Sequence, residues 1–152
     1  MQFSTRLWLT IASMAWALNF AWEYLQTPLF LGLPPTHHVA WCGAAALADT
    51  LVTLLLYFIV AQRRHDPRWP RNLHVADFVL LVLLGTLFGV VSEIVFLRLH
   101  LWRYGPAMPR LPLLHVGLLP VLQLSVLPLV TVVLAAAFCE KRRSNPKPVM
   151  SL

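Results

Sequence analysis

The feature that most constrains this chain is the recurrence of four apolar runs, Leu7–Gln26, Val39–Ala61, Val75–Leu97 and His115–Phe138, separated by short connections rich in Arg and Pro. Each is close to the roughly 20 residues that a helix needs to cross a hydrocarbon core of about 30 Å. Their apolar residues are continuous and do not alternate, which favours helices over barrel strands. The sequence therefore predicts an all-α fold, an integral membrane four-helix bundle. Residues 1–139 form the four-span transmembrane domain, and residues 140–152 form a basic cytoplasmic tail read as disordered. Composition agrees: of 152 residues 59% are apolar and 12% charged, against about 45–50% and roughly 25% in soluble domains. The net charge of +6 lies in short clusters between apolar runs and makes no continuous patch, so no nucleic-acid partner is expected.

Lys and Arg set the expected orientation. Arg6, the connection carrying Arg63, Arg64, Arg68 and Arg71, and the tail carrying Lys141, Arg142, Arg143 and Lys147 place nine cations on one side. Arg98, Arg103 and Arg110 are the three on the other. Both termini are thus expected to be cytoplasmic, with Trp8 and Trp69 anchoring the inner boundary and Trp22, Trp41 and Trp102 the outer one; Trp16 alone falls mid-span. Ala15-Trp16-Ala17 has the form of a signal-peptide cleavage site, but apolar character continues past it, so the first helix is expected to be retained. Pro120 and Pro128 should bend the fourth helix. Cys42 and Cys139 are expected at opposite faces of the membrane, too far apart for a disulfide.

A charge at the centre of a membrane helix costs at least ~2.5–3.5 kcal/mol, so intramembrane carboxylates mark candidate sites. Glu23, Asp49 and Glu93 are three such groups on three helices, and Gln123 adds an amide from the fourth. At 1.5 Å per residue, Asp49 is expected roughly 15 Å below the outer boundary, Gln123 about 12 Å, and Glu23 and Glu93 about 5 Å. Asp77, at the inner boundary, asks for no special role. Asn19, Glu23 and Gln26 share one helical stripe, as do Cys42, Asp49 and Thr53. Gly85, Gly89 and Glu93 follow at successive fours, a face suited to close helix contact inside the bundle or with a second copy as a homodimer. The third connection, with Arg98, His100, Trp102, Arg103, Tyr104, Met108, Arg110 and His115, reads as a lid.

Several readings compete. In an acid–base enzyme acting on a lipid or isoprenoid-like substrate, Asp49 is the general acid, Glu23 or Glu93 the base, Asn19, Gln26 and Gln123 orient the substrate, and Trp102, Arg103 and Tyr104 cover it. In a non-catalytic structural or accessory subunit, the same groups hydrogen-bond across helices and Glu93 pairs with Arg98 or Arg103. A metal site would draw on His37, His38, His100 and His115, but no His-x3-His or Glu-x-x-His pair shares a helix, so no metal and no cofactor are assigned. Four helices enclose little pathway for a carrier or channel. Gly-x-Ser-x-Gly, Walker and dinucleotide motifs do not occur. Membrane lipids are the expected partners, with a larger membrane complex as an alternative setting.

The succession Asn19-Phe20-x-Trp22-Glu23-x-x-Gln26-x-Pro28-Leu29, Asp49, Glu93, Trp102-x-Tyr104 with Met108-Pro109, and Gly117-Leu118-x-Pro120 with Gln123 resembles a family of small four-span proteins of the bacterial inner membrane. The resemblance covers about Phe20 to Pro128; it implies the topology, the location and the polar set, and carries over no reaction. The Trp-Glu pair late in a span, with a second intramembrane acid, is similar more faintly to membrane-integral terpene cyclases, which are longer and have more spans.

The orientation can be tested directly. In a chain with Cys42 and Cys139 replaced by Ser, Arg64→Cys is expected to resist an impermeant thiol reagent outside intact cells and to react after permeabilisation. Labelling from outside would invert every depth inferred above.

Overall fold

The computed structural model describes residues 5–32 and 38–144, with side chains to residue 141. Four helices carry the fold: α1 (Thr5–Gln26), α2 (His38–Arg64), α3 (Val75–Arg98) and α4 (Leu118–Ser144). The three helices that follow α1 are long and apolar enough to cross a membrane. At 22 residues α1 reaches about 33 Å, but it is less apolar than the others. Phe30–Leu31 (β1) and Arg103–Tyr104 (β2) pair antiparallel, Phe30 opposite Tyr104 and Leu31 opposite Arg103. This short ladder ties the α1–α2 connection to the α3–α4 connection.

Local chemistry explains where the helices stop. Pro28 opens a 3-10 turn directly after α1, since a proline cannot donate within a helix. Beyond α2 and α3 the chain reverses through His65 (φ 50°) and His100 (φ 55°). There the amides of Asp66 and Leu101 bond back to the carbonyls of Ala61 and Phe96, at 3.2 and 3.1 Å. This six-to-one closure normally carries a glycine or asparagine at the left-handed residue, and histidine is among the other side chains that tolerate it. His115 has the same conformation (φ 55°). Two of the histidines weighed as metal ligands, His100 and His115, therefore serve as chain-reversal residues. His38 opens α2 and stacks on Tyr24 at 5.2 Å, whereas His37 lies outside the described residues.

The start of α4 differs from expectation. His115 precedes the helix, because Arg110 and Gly117 form a bridge and the Leu118 amide bonds to the Pro109 carbonyl (2.8 Å). Pro120 thus falls in the first helical turn, where a missing N–H costs no bond, and only Pro128 lies inside the helix. The tail expected to be disordered from Glu140 onward is helical as far as Ser144, and residues 145–152 lie outside the described set.

The two ends of the bundle differ in chemistry. At one end Leu7, Ile11, Leu56, Tyr57, Val60, Leu81, Val132 and Ala135 make an apolar core. Trp69 is wholly buried there and donates its indole N–H to the Tyr57 carbonyl (3.2 Å), so it is a core residue and not the boundary anchor expected. Trp16, by contrast, is exposed and stacks on Phe20 at 5.2 Å, as suits a ring on the outside of the bundle. Asp77, expected to need no special role, is wholly buried at this arginine end. It accepts from Arg63 (3.2 Å), Arg64 (2.7 Å) and the His74 amide (3.1 Å), so it caps α3 and clamps α3 to α2. A buried carboxylate is tolerable when paired and hydrogen-bonded in this way.

The glycine face of α3 is filled by α4 of the same chain. A Cβ on Gly85 would sit 2.0 Å from the Leu124 carbonyl oxygen, and one on Gly89 3.0 Å from the Val121 Cα. The face that a second copy would have needed for a homodimer is therefore already covered. α1 packs on α2 and α4, and α3 on α4, while α2 and α3 touch far less. Gly→Ala normally strengthens a helix by about 1 kcal/mol. Here overpacking of about 1–3 kcal/mol should win. Gly85→Ala is expected to lower the melting temperature of the purified protein, and by more than Gly89→Ala, in a fluorescence melt.

Candidate functional site

The opposite end of the bundle, the carboxylate end, is built around one amide. Gln123 of α4 is buried, and its Nε2 donates to Asn19 Oδ1 of α1 (3.0 Å) and to Asp49 Oδ2 of α2 (2.7 Å). Its Oε1 accepts from Gln26 Nε2 (3.0 Å). Gln26 also donates to Glu23 Oε1 (3.0 Å) and accepts from the Trp22 indole (3.2 Å). Asn19 closes the series by donating to the Ala15 carbonyl (2.9 Å). Both amide protons of Gln26 and of Gln123 are committed, and one of Asn19, which fixes the orientation of each amide plane.

The carboxyls of Glu23 and Asp49 lie within hydrogen-bonding reach of one another. The expected depths of about 5 and 15 Å are thus corrected to a common level. Gln26 and Gln123 tie the two acids together, Gln26 donating to Glu23 and to Gln123, and Gln123 donating to Asp49.

Glu93, also buried, takes no arginine partner. Its carboxyl accepts from the Tyr104 hydroxyl, which in turn accepts the Gly117 amide (2.8 Å). Arg98 and Arg103 are both exposed, and among the described residues neither is paired with Glu93. The expected Glu93 pairing with Arg98 or Arg103 is therefore replaced by a phenol, because β1–β2 pairing turns Tyr104 inward and leaves Arg103 exposed. Burial first, and then the Glu93 carboxyl, push the Tyr104 phenol up from its ordinary value, so it remains a donor. Arg110 covers the outer face of that ring, 5.4 Å from its centroid.

A cavity of about 280 Å3 lies against these groups. Glu23, Gln26, Asp49, Glu93, Gln123 and Trp102 line it, whereas Asn19, Arg103 and Tyr104 do not. Asn19 and Tyr104 stand behind the wall and hold residues that form it. Its aromatic side comprises Phe30, Trp41, Phe96 and Trp102, with Trp102 packed at 4.8 Å on Phe96 and edge-on at 5.9 Å to Phe30. On α2 the lining is small: Ala44, Ala45 and Ala48. Ala44 and Ala48 are also exposed, so the cavity reaches the flank of the bundle beside α2, with Ser92 and Phe96 of α3 on its other side.

Sequence reasoning did not find Phe30, Trp41, Phe96 or the alanine wall. The run Gly43-Ala44-Ala45-Ala46-x-Ala48 was the available signal, since small residues on a face that also carries Asp49 leave room beside it. No group of three or more His, Cys, Asp and Glu placed to hold a metal ion occurs among the described residues. No family model, curated protein or solved structure matches the chain.

Tyr104→Phe keeps the ring and removes the hydroxyl that joins Glu93 to Gly117. Buried hydrogen bonds of this kind are worth about 1–3 kcal/mol, so amide exchange at Gly117 should quicken by about fivefold or more, while helix protection at the arginine end stays unchanged.

Proposed function

We propose that the chain is a four-span protein of the bacterial inner membrane, with both termini cytoplasmic, whose cavity takes the polar head of a lipid or isoprenoid-like molecule and exchanges protons with it. The single observation that carries this reading is that two carboxyls from different helices share the wall of a cavity which opens on an apolar flank. A carboxyl pair that holds one proton can give it from one oxygen and take it back on another, which is what addition and removal of a proton at neighbouring atoms requires. In this reading Asp49 is the donor, Glu23 the acceptor, and Glu93, held by Tyr104, stabilises developing positive charge. Gln26 and Gln123 fix the pair, and Trp102 closes the head of the site.

A second reading, a structural or accessory subunit whose polar groups hold the bundle, is favoured by the saturation of the Gln123 network. The two assign different work to amides and acids. If the amides are structural and the acids functional, Gln123→Leu should lower the melting temperature substantially, since it strands Asn19, Gln26 and Asp49 at about 1–3 kcal/mol each. Asp49→Asn should melt within a few degrees of wild type yet lose the lipid that co-purifies with it, read by mass spectrometry of extracts. Lipid content equal in wild type and Asp49→Asn would favour the structural reading.

A further inference from the structure

The charge balance of the cavity identifies the head that fits it. Three carboxyls from three helices, Glu23, Asp49 and Glu93, face the space, and among the described residues no Lys, Arg or His lines it. The groups that meet these acids are amides, a phenol and one another. Both arginines of the overlying connection that lie nearest are turned away, Arg103 exposed and Arg110 on the far face of the Tyr104 ring. Carboxylates withdrawn from water without a counter-charge are costly. Asp77 shows how this chain solves that problem when the need is structural: it brings two arginines to one acid. At the cavity it brings none. Instead it supplies Phe30, Trp41, Phe96 and Trp102, and aromatic faces beside carboxylates are the surroundings that attract organic cations.

We propose that the cavity binds an amphiphile with a cationic head, an alkyl-ammonium, whose apolar tail leaves along the Ala44, Ala45 and Ala48 flank between α2 and α3. This rests on the reading of the cavity as a lipid-head site, and deepens it by naming the charge of the head. The missing counter-charge and the aromatic wall are the observations that select a cation over the neutral alcohol or the phosphate that other lipids would present. The opening beside the alanines accounts for a tail.

The test uses the full chain in nanodiscs of zwitterionic lipid, with radiolabelled dodecyltrimethylammonium as the probe and empty nanodiscs as the blank. Saturable binding of one probe per chain is expected, with unlabelled dodecanol and dodecyl phosphate competing at least tenfold more weakly than the unlabelled cation. Asp49→Asn with Glu93→Gln should weaken the cation by tenfold or more. Ala45→Leu, which fills the space from the α2 side and removes no hydrogen-bonding group, should block the probe even if the double variant fails to fold. Equal competition by dodecanol, or by dodecyl phosphate, would overturn the cation while leaving the lipid-head reading standing. Absence of saturable binding for the cation together with dodecanol and dodecyl phosphate, each labelled in turn, would overturn both.

Discussion

The geometry of the carboxylate end depends on the side chain of Gln123. An unsatisfied amide in an apolar interior costs about 2–7 kcal/mol, so a helix that carries one is committed to finding partners for it. Gln123 finds them on two other helices, and each bond constrains the rotation of the helix at its far end. Interhelical hydrogen bonds in membranes average only about 0.6 kcal/mol, too little to hold a bundle together by themselves. Their effect is selective: of the many rotations that would bury apolar surface equally well, they favour the one in which Glu23 and Asp49 meet.

The arginine end has the opposite economy. Its core is apolar and well packed, with Trp69 and Tyr57 at its centre, and its one buried acid is neutralised within the chain. There Asp77 needs no counter-charge from outside. At the carboxylate end none of the three acids has an ion-pair partner among the described residues. The contrast between Asp77 and the cavity acids shows that this sequence can balance a buried carboxylate, and that at the cavity it does not.

Much of this was legible before any coordinates. Helix type and number follow from run length, and Asn19, Gln26, Asp49 and Gln123 stand out because lipid gives no reason for them. What escaped were contacts that no periodicity encodes. That Glu23 and Asp49 share a level follows from their link through Gln26 and Gln123, and the partners of those amides lie on other helices far away in sequence. That Tyr104, and not an arginine, meets Glu93 depends on the pairing of two-residue strands, too short to show alternation. Asp77 looked ordinary because sequence position places it at a helix end, whereas its burial comes from Arg63 and Arg64 folding back across the α2–α3 turn. His100 and His115 are candidate ligands by their ring nitrogens, yet they matter for their backbone, as does His65.

The β1–β2 ladder has a consequence for the rate at which the site fills. It joins the two connections at that end of the bundle, and Gly105 adds a further bond to the Leu29 carbonyl (2.7 Å), so the direct path from water is roofed while the flank beside Ala44 and Ala48 is open. On the lipid-head reading proposed above, a molecule that arrives along the flank travels in two dimensions, already dissolved in the leaflet. Occupancy then follows its mole fraction among lipids and not its aqueous concentration, and a compound with almost no solubility in water would still reach the carboxyls at the speed of lateral diffusion.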